Sequence, residues 1–138
     1  MTLLPLVHIE EEVMWEGMKK YHIRGLPFDA VIHHFTKPDL GEPHDHPWDF
    51  RSVILKGCYV EEVYKYSGQK EYFMREEGNT FYVSKSRIHR IIHLPEGECF
   101  TLVIPQLQFG IQKSSFYRWV NGVIQYRFWD AEYPAEPQ

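Results

Sequence analysis

At 138 residues the chain has the length of one domain, enough to bury a core without disulfide or metal staples. A net charge of −4, with both signs interspersed, excludes the basic face that general nucleic-acid binding needs. No apolar run approaches the roughly 20 residues that span a bilayer, so no membrane partner is expected.

Nine Tyr, nine Phe and four Trp suit strands and a barrel interior better than helices. Residues 1–20 are expected to form a segment packed on the barrel, helical or irregular, with a helical turn or two over 9–18. The acids Glu10, Glu11 and Glu12 suit the start of a helix macrodipole, and Gly17 weakens its end. No charged stretch leads into a long apolar run, so no signal peptide is expected and the protein reads as cytoplasmic.

Strands are predicted over 21–24 and 28–35, split by the turn signal Gly25-Leu26-Pro27. His33 and His34 alternate to opposite faces of the second strand. Either could approach a site, although a lone strand histidine is ordinarily a packing residue. A polar loop covers 36–43. Strands over 51–56 and 58–66 are separated by Gly57, and Ser67-Gly68-Gln69-Lys70 is a hairpin signal leading into 71–75. Further strands cover 80–83 and 88–94, on either side of a turn at 84–87. The strongly apolar 99–104 reads as central, followed by short strands over 107–111, 116–120 and 123–129. Asn121-Gly122 joins the last two, since both residues accept positive φ. The tail, 131–138, carries Pro134 and Pro137 and is expected to fray. Cys58 and Cys99 fall inside apolar strand patterns and read as buried free thiols. About ten short strands with frequent turns describe an all-β sandwich or barrel occupying 21–130 as a single domain.

The chemistry concentrates in the stretch from Gly41 to Arg51, where His44 and His46 form an H-x-H pair. Residues two apart on a strand share a face, so one short strand can aim both imidazoles at one metal ion. A second segment, Gly78 to His89, ends a turn-rich run on a third histidine.

Together these segments resemble the two motifs of the cupin superfamily. The first family motif is H-x-H, a Glu three or four residues on, and a Gly six beyond. His44, His46 and Gly57 fit it, Phe50 stands at the Glu position, and Pro38 stands where an upstream Gly is expected. The second motif runs G-x5-P-x-G-x2-H-x3-N. Gly78 and His89 fit, while Ser84, Ser86 and His93 replace Pro, Gly and Asn. The resemblance extends from about 21 to 128, and the wording around His44, Ile54 and Ile88 is similar to that of small cupins of phages and bacteria. It implies a double-stranded β-helix, or jelly-roll barrel, and a homodimer formed through edge strands. It also implies one divalent metal ion on His44, His46 and His89, and cupins with three-histidine sites include Fe(II) dioxygenases. Iron is therefore the expected metal, with Zn, Ni and Mn as alternatives.

With Phe50 in place of the Glu, three neutral imidazoles leave the ion's 2+ charge uncompensated, which favours a small anionic substrate. On a regular strand Arg87 and His93 share the face of His89. Arg87 would then hold the anion in a bidentate fork, with Arg51 and Arg90 as alternatives. His93 would act as a fourth ligand, a base, or a support for the ligands. Asp45 alternates away from the metal face, and Asp49 suits an Asx turn or, less ordinarily, the missing carboxylate. Trp48 and Phe50 are expected to line the barrel mouth. Tyr59, Tyr64, Tyr72 and Tyr82 read as packing residues, one of which could reach the site. Three functions fit this reading. The first is an Fe(II)-type dioxygenase. The second is a metal-free isomerase or epimerase with a histidine base and tyrosine acid. The third is a non-catalytic binding or phage accessory module.

Overall fold

The computed structural model describes residues 6–134, which form ten strands, all paired antiparallel. In chain order they are β1 (His8–Trp15), β2 (Met18–Arg24), β3 (Ala30–Phe35), β4 (Asp49–Tyr64) and β5 (Lys70–Glu76). These are followed by β6 (Thr80–Val83), β7 (Ile88–His93), β8 (Cys99–Gln106), β9 (Ser115–Val120) and β10 (Val123–Phe128). Only a single 3₁₀ turn, Leu107–Phe109, interrupts this all-β chain among the described residues.

One sheet runs β1-β2-β3-β8 onto the first half of β4, with β6 on the other side of that half. The second half of β4 lies between β5 and β7. His44 then forms single bridges to His89 of β7 and to Phe116 of β9, which continues the second sheet into the β9–β10 hairpin. β4 therefore belongs to both sheets. Its ladder slips between Ile54 and Lys56, and Gly57 follows at φ +79°. An extra residue in a strand turns its side chains over. Phe50, Ser52 and Ile54 point inward before the slip, and Tyr59 and Glu61 after it. The expected break at Gly57 is thus a bend within one strand.

The core has two parts. Phe35, Ile54, Tyr59, Ile91, Leu94 and Cys99 form one, and Phe50, Val83 and Val103 the other, with Phe81 packed against both. Cys58 and Cys99 are free thiols; Cys99 is fully buried, and burial pushes its thiol up to about 12.

The helix expected over 9–18 is instead the β1–β2 hairpin. Its three acids face bases across the ladder. Glu10 accepts from Arg24 at 3.1 Å, Glu11 pairs with Lys19 at 3.1 Å, and Glu12 lies 2.8 Å from His22 Nε2. Opposite charges on neighbouring strands support a sheet as well as a macrodipole supports a helix, and here the bases of 19–24 decide. Met1–Pro5 of that expected segment lie outside the described residues. The strand expected over 107–111 is also corrected: pairing with β4 ends at Gln106, and the chain coils through the 3₁₀ turn to Gly110 at φ +96°. The two-residue turn at Asn121 and Gly122 is as expected, with φ of 51° and 78°. Of the tail expected to fray, Tyr133 is held by its hydroxyl on Glu42 and by the Arg118 guanidinium over its ring; 135–138 lie outside the described residues. No helix among the described residues is long and apolar enough to cross a membrane.

Candidate metal centre

Backbone pairing brings the histidines together. His44 donates its N–H to the His89 carbonyl and accepts from the His89 N–H, both at 3.0 Å. Two residues that exchange both bonds present their side chains to the same face. His46, two residues on, shares that face. Asp45 between them turns the other way and is clamped to β9. Its carboxylate accepts from the Ser115 N–H and the Tyr117 hydroxyl, each at 2.7 Å. The H-x-H stretch is thus laced to β7 on one side and β9 on the other.

The ligand atoms of His44, His46 and His89 all lie within 4.8 Å of one another, the one such group of three among the described residues. His46 Nε2 and His89 Nε2 are 3.2 Å apart. Two imidazoles bound to one ion at about 2.0–2.1 Å, with angles between right and tetrahedral, have nitrogens about 2.9–3.3 Å apart. That pair therefore already has the separation of two ligands on one ion. The His44 and His46 rings are also held in the neutral, ligating form. Burial first, then the charge of His89, pushes His44 down to about 4, and the same causes place His46 well below its ordinary value.

His89 is fixed from behind by a residue that sequence reasoning missed. Glu61 is fully buried, and its carboxylate accepts from His89 Nδ1 at 2.5 Å. This leaves Nε2 of His89 as the nitrogen turned to the other histidines. Glu61 also accepts from Arg75 at 2.9 and 3.1 Å and from Arg87 at 3.4 Å. Burial alone would push this carboxyl up. The His89 bond and the charges of His89, Arg87 and Arg75 outweigh it and bring it down to about 2. A signal did exist in the sequence: Glu61 and Glu62 are adjacent in mid-strand, so alternation sends one of them inward. Glu62 turns to the opposite face, where it is also buried, and binds Arg90 at 2.8 Å and the Tyr64 hydroxyl.

The other expected residues spread out. Arg87 points to Glu61 from the turn before β7, and Arg90 is tied to Glu62 and the carbonyls of Leu40 and Gly41. Arg51 is exposed with its guanidinium near the Tyr82 ring. His93 does not share the face of His89: the β4–β7 register shifts between Val60 and Glu61, and His93 comes out exposed. Asp49 accepts from the Lys85 N–H at 2.6 Å and from the Tyr82 hydroxyl, in keeping with the turn role. Phe50 stands edge-on to His46, ring centres 4.9 Å apart, and Trp48 packs beside it.

The triad opens into a cavity of about 290 Å³. Phe50 and Tyr59 line it, along with Trp15, Met18, Lys20 and His33 from the facing sheet. His33 is thus the strand histidine that reaches the site, while His34 stacks on Phe100 and bonds Glu98 at 3.0 Å. His46 Nδ1 is the one buried side-chain polar atom without a partner among the described residues. The His46 ring is therefore set by packing rather than by a second hydrogen bond.

These buried neutral imidazoles make the metal-free protein acid-sensitive. Burial, with Lys20 and His22 nearby, pushes His33 down to about 3, and His44 stands at about 4. Unfolded histidines take up protons near pH 6.5. Below that pH the unfolded state binds more protons than the folded one, so stability is full above about 6.5 and falls toward 4. The loss expected by pH 5 is about 2 kcal/mol for each of His33 and His44. Urea midpoints of metal-free protein at pH 7.5 and pH 5 measure it, and equal midpoints would refute the buried neutral state.

No protein-family model and no curated protein sequence matches the chain. Solved structures do match. A protein of unknown function from Vibrio parahaemolyticus aligns over 70% of this chain and 97% of its own, at 17% identity and TM-score 0.54. Oxalate decarboxylase from Bacillus subtilis aligns over 80% of this chain at 19% identity and TM-score 0.59, and the match spans 31% of that larger chain. Hydroxypropylphosphonic acid epoxidase from S. wedmorenis aligns over 71% of this chain and 55% of its own, at 8% identity and TM-score 0.58. With two antiparallel sheets sharing β4 and three histidines gathered inside them, these matches show that the chain has the cupin fold.

Proposed function

We propose that the protein is a metal-dependent cupin enzyme, an Fe(II)-type dioxygenase acting on a small organic anion. The observation that carries this reading is the convergence of His44, His46 and His89 within 4.8 Å, with two of their Nε2 atoms already at the spacing of ligands on one ion. A divalent ion held there by neutral imidazoles would supply Lewis-acid and oxygen chemistry with its charge uncompensated by protein. The chain's own part is to position and to enclose. Glu61 holds the His89 ring, the backbone exchange holds His44, and Phe50 presents an apolar wall where a carboxylate ligand would lower the charge. The structural neighbours named for oxalate and for a phosphonic acid support a small anion as the substrate class.

Metal analysis by mass spectrometry, on protein purified without chelators, tests the reading. About one ion per chain, predominantly iron, is expected in the native protein. A His44→Ala/His89→Ala variant should lose it, since two of three ligands are gone. Native protein that stays metal-free after anaerobic reconstitution with Fe(II) would refute the proposal.

A further inference from the structure

The histidine triad accounts for only one wall of the cavity. The facing wall carries a row of side chains in register across four strands: Glu12 on β1, Lys20 on β2, His33 on β3 and Thr101 on β8. Lys20 is half-buried and lines the same cavity as the triad. Its side chain makes no hydrogen bond or salt bridge with a described residue. Glu12, across the ladder, attracts it but bonds His22 instead. The two aspartates that line the cavity are also engaged, Asp39 with the Gly41 N–H at 3.0 Å and Asp45 with β9. His33, beside Lys20, makes only an edge contact with Phe35 among the described residues.

A desolvated ammonium whose nearest carboxylate is bonded elsewhere is expensive to keep. Here it sits in a small chamber whose opposite wall gathers a cation. Arg87, the expected anion holder, is turned to Glu61 and does not line this cavity. We propose that Lys20, with His33 beside it, is the anchor for a carboxylate of the substrate. The pocket then takes a short organic acid that reaches from the triad to β2. The inference rests on the metal reading for one end of that ligand, and on Lys20 alone for the other. The chamber's volume, about 290 Å³, is at the small end of ligand pockets and favours a compact acid.

Calorimetric titration of Co(II)-loaded protein with malonate, and with inorganic phosphate as the rival anion, tests this. Native protein is compared with Lys20→Met and Lys20→Arg. All three should take up Co(II) equally, and Lys20→Met should unfold at the same or a higher temperature because an unpaired buried charge is removed. Malonate binding should weaken about 10- to 100-fold in Lys20→Met, the worth of a charge-assisted hydrogen bond, and recover substantially in Lys20→Arg. Equal malonate affinity in native and Lys20→Met protein overturns the anchor, as does no binding of malonate to the native form. Tighter binding of phosphate than malonate overturns the carboxylate class. If none of the three proteins takes up Co(II), the metal reading fails by itself. The same titration on metal-free protein then decides Lys20: Lys20-dependent heat upholds the anchor, and its absence removes it.

Discussion

Replacing Glu61 with alanine is expected to destabilise the protein by about 3–5 kcal/mol and to remove tight metal binding. Removing one member of a buried ion pair leaves its partners charged and unpaired, which accounts for that size. Here three groups lose their acceptor at once: His89 Nδ1, Arg75 and Arg87. Arg75 is only 16% exposed and packs its guanidinium over the Phe81 ring at 4.0 Å, so it has little water to turn to. Glu61→Gln separates the fold from the site. The amide keeps the shape and an acceptor oxygen, so the stability loss should shrink. The His89 ring loses its charged partner, and metal affinity should still fall about 10- to 100-fold, as for other supports of metal-bound histidines. Urea unfolding and a competitive metal titration on the two variants give both numbers. Native metal affinity in Glu61→Gln would show that Glu61 serves the fold alone.

Gly57→Ala should be nearly as damaging, for a different reason. At φ +79° a side chain is already strained, and a Cβ built there would press on the Glu98 carbonyl oxygen, far inside van der Waals contact. Glu98 immediately precedes Cys99, which pairs with Gly57 across the sheet, so the backbone has no room to give. The expected loss is about 2–4 kcal/mol. Gly78→Ala is the control: its φ is +86°, yet a Cβ there meets nothing within 4 Å. It should cost about 1–2 kcal/mol, the conformational part alone. The difference between the two urea midpoints isolates the steric part at the β4 bend. If both alanine variants unfold together, the close approach of β4 to Glu98 is wrong.

Much of the fold could be read from local pattern. Alternation and turn residues mark most strands to within a residue or two, and β6 at both ends. The H-x-H pair was legible because period-two spacing fixes a shared face without knowledge of the tertiary fold, and His89 because Gly78 to His89 resembles the second cupin motif. Other features were not local. The acids of 10–12 are compatible with a helix start until their partners in β2 are paired. The slip near Ile54 reverses the facing of the second half of β4, so simple alternation from His46 cannot show that Glu61 lies inside. The slip opposite Val60 likewise defeats the alternation that linked His93 to His89. Lys20 carried no motif, and only the cavity that β2 closes brings it opposite the triad.

A strand that serves two sheets also orders events in time. β4 pairs with β8, and so does β3, which means that neither finds its central neighbour until residues up to Gln106 have left the ribosome. Until then the β2–β3 ladder and the first half of β4 present open edges and apolar faces to solvent or to one another. The hairpins β1–β2 and β4–β5 can close locally, but closing the barrel waits on contacts far apart in sequence, which are slow to form. The acid-rich β1, with Glu10, Glu11 and Glu12 in succession, gives the waiting chain a charged border at the outer edge of that first sheet. Charge along that border opposes edge-to-edge pairing of nascent chains during the interval before β8 arrives.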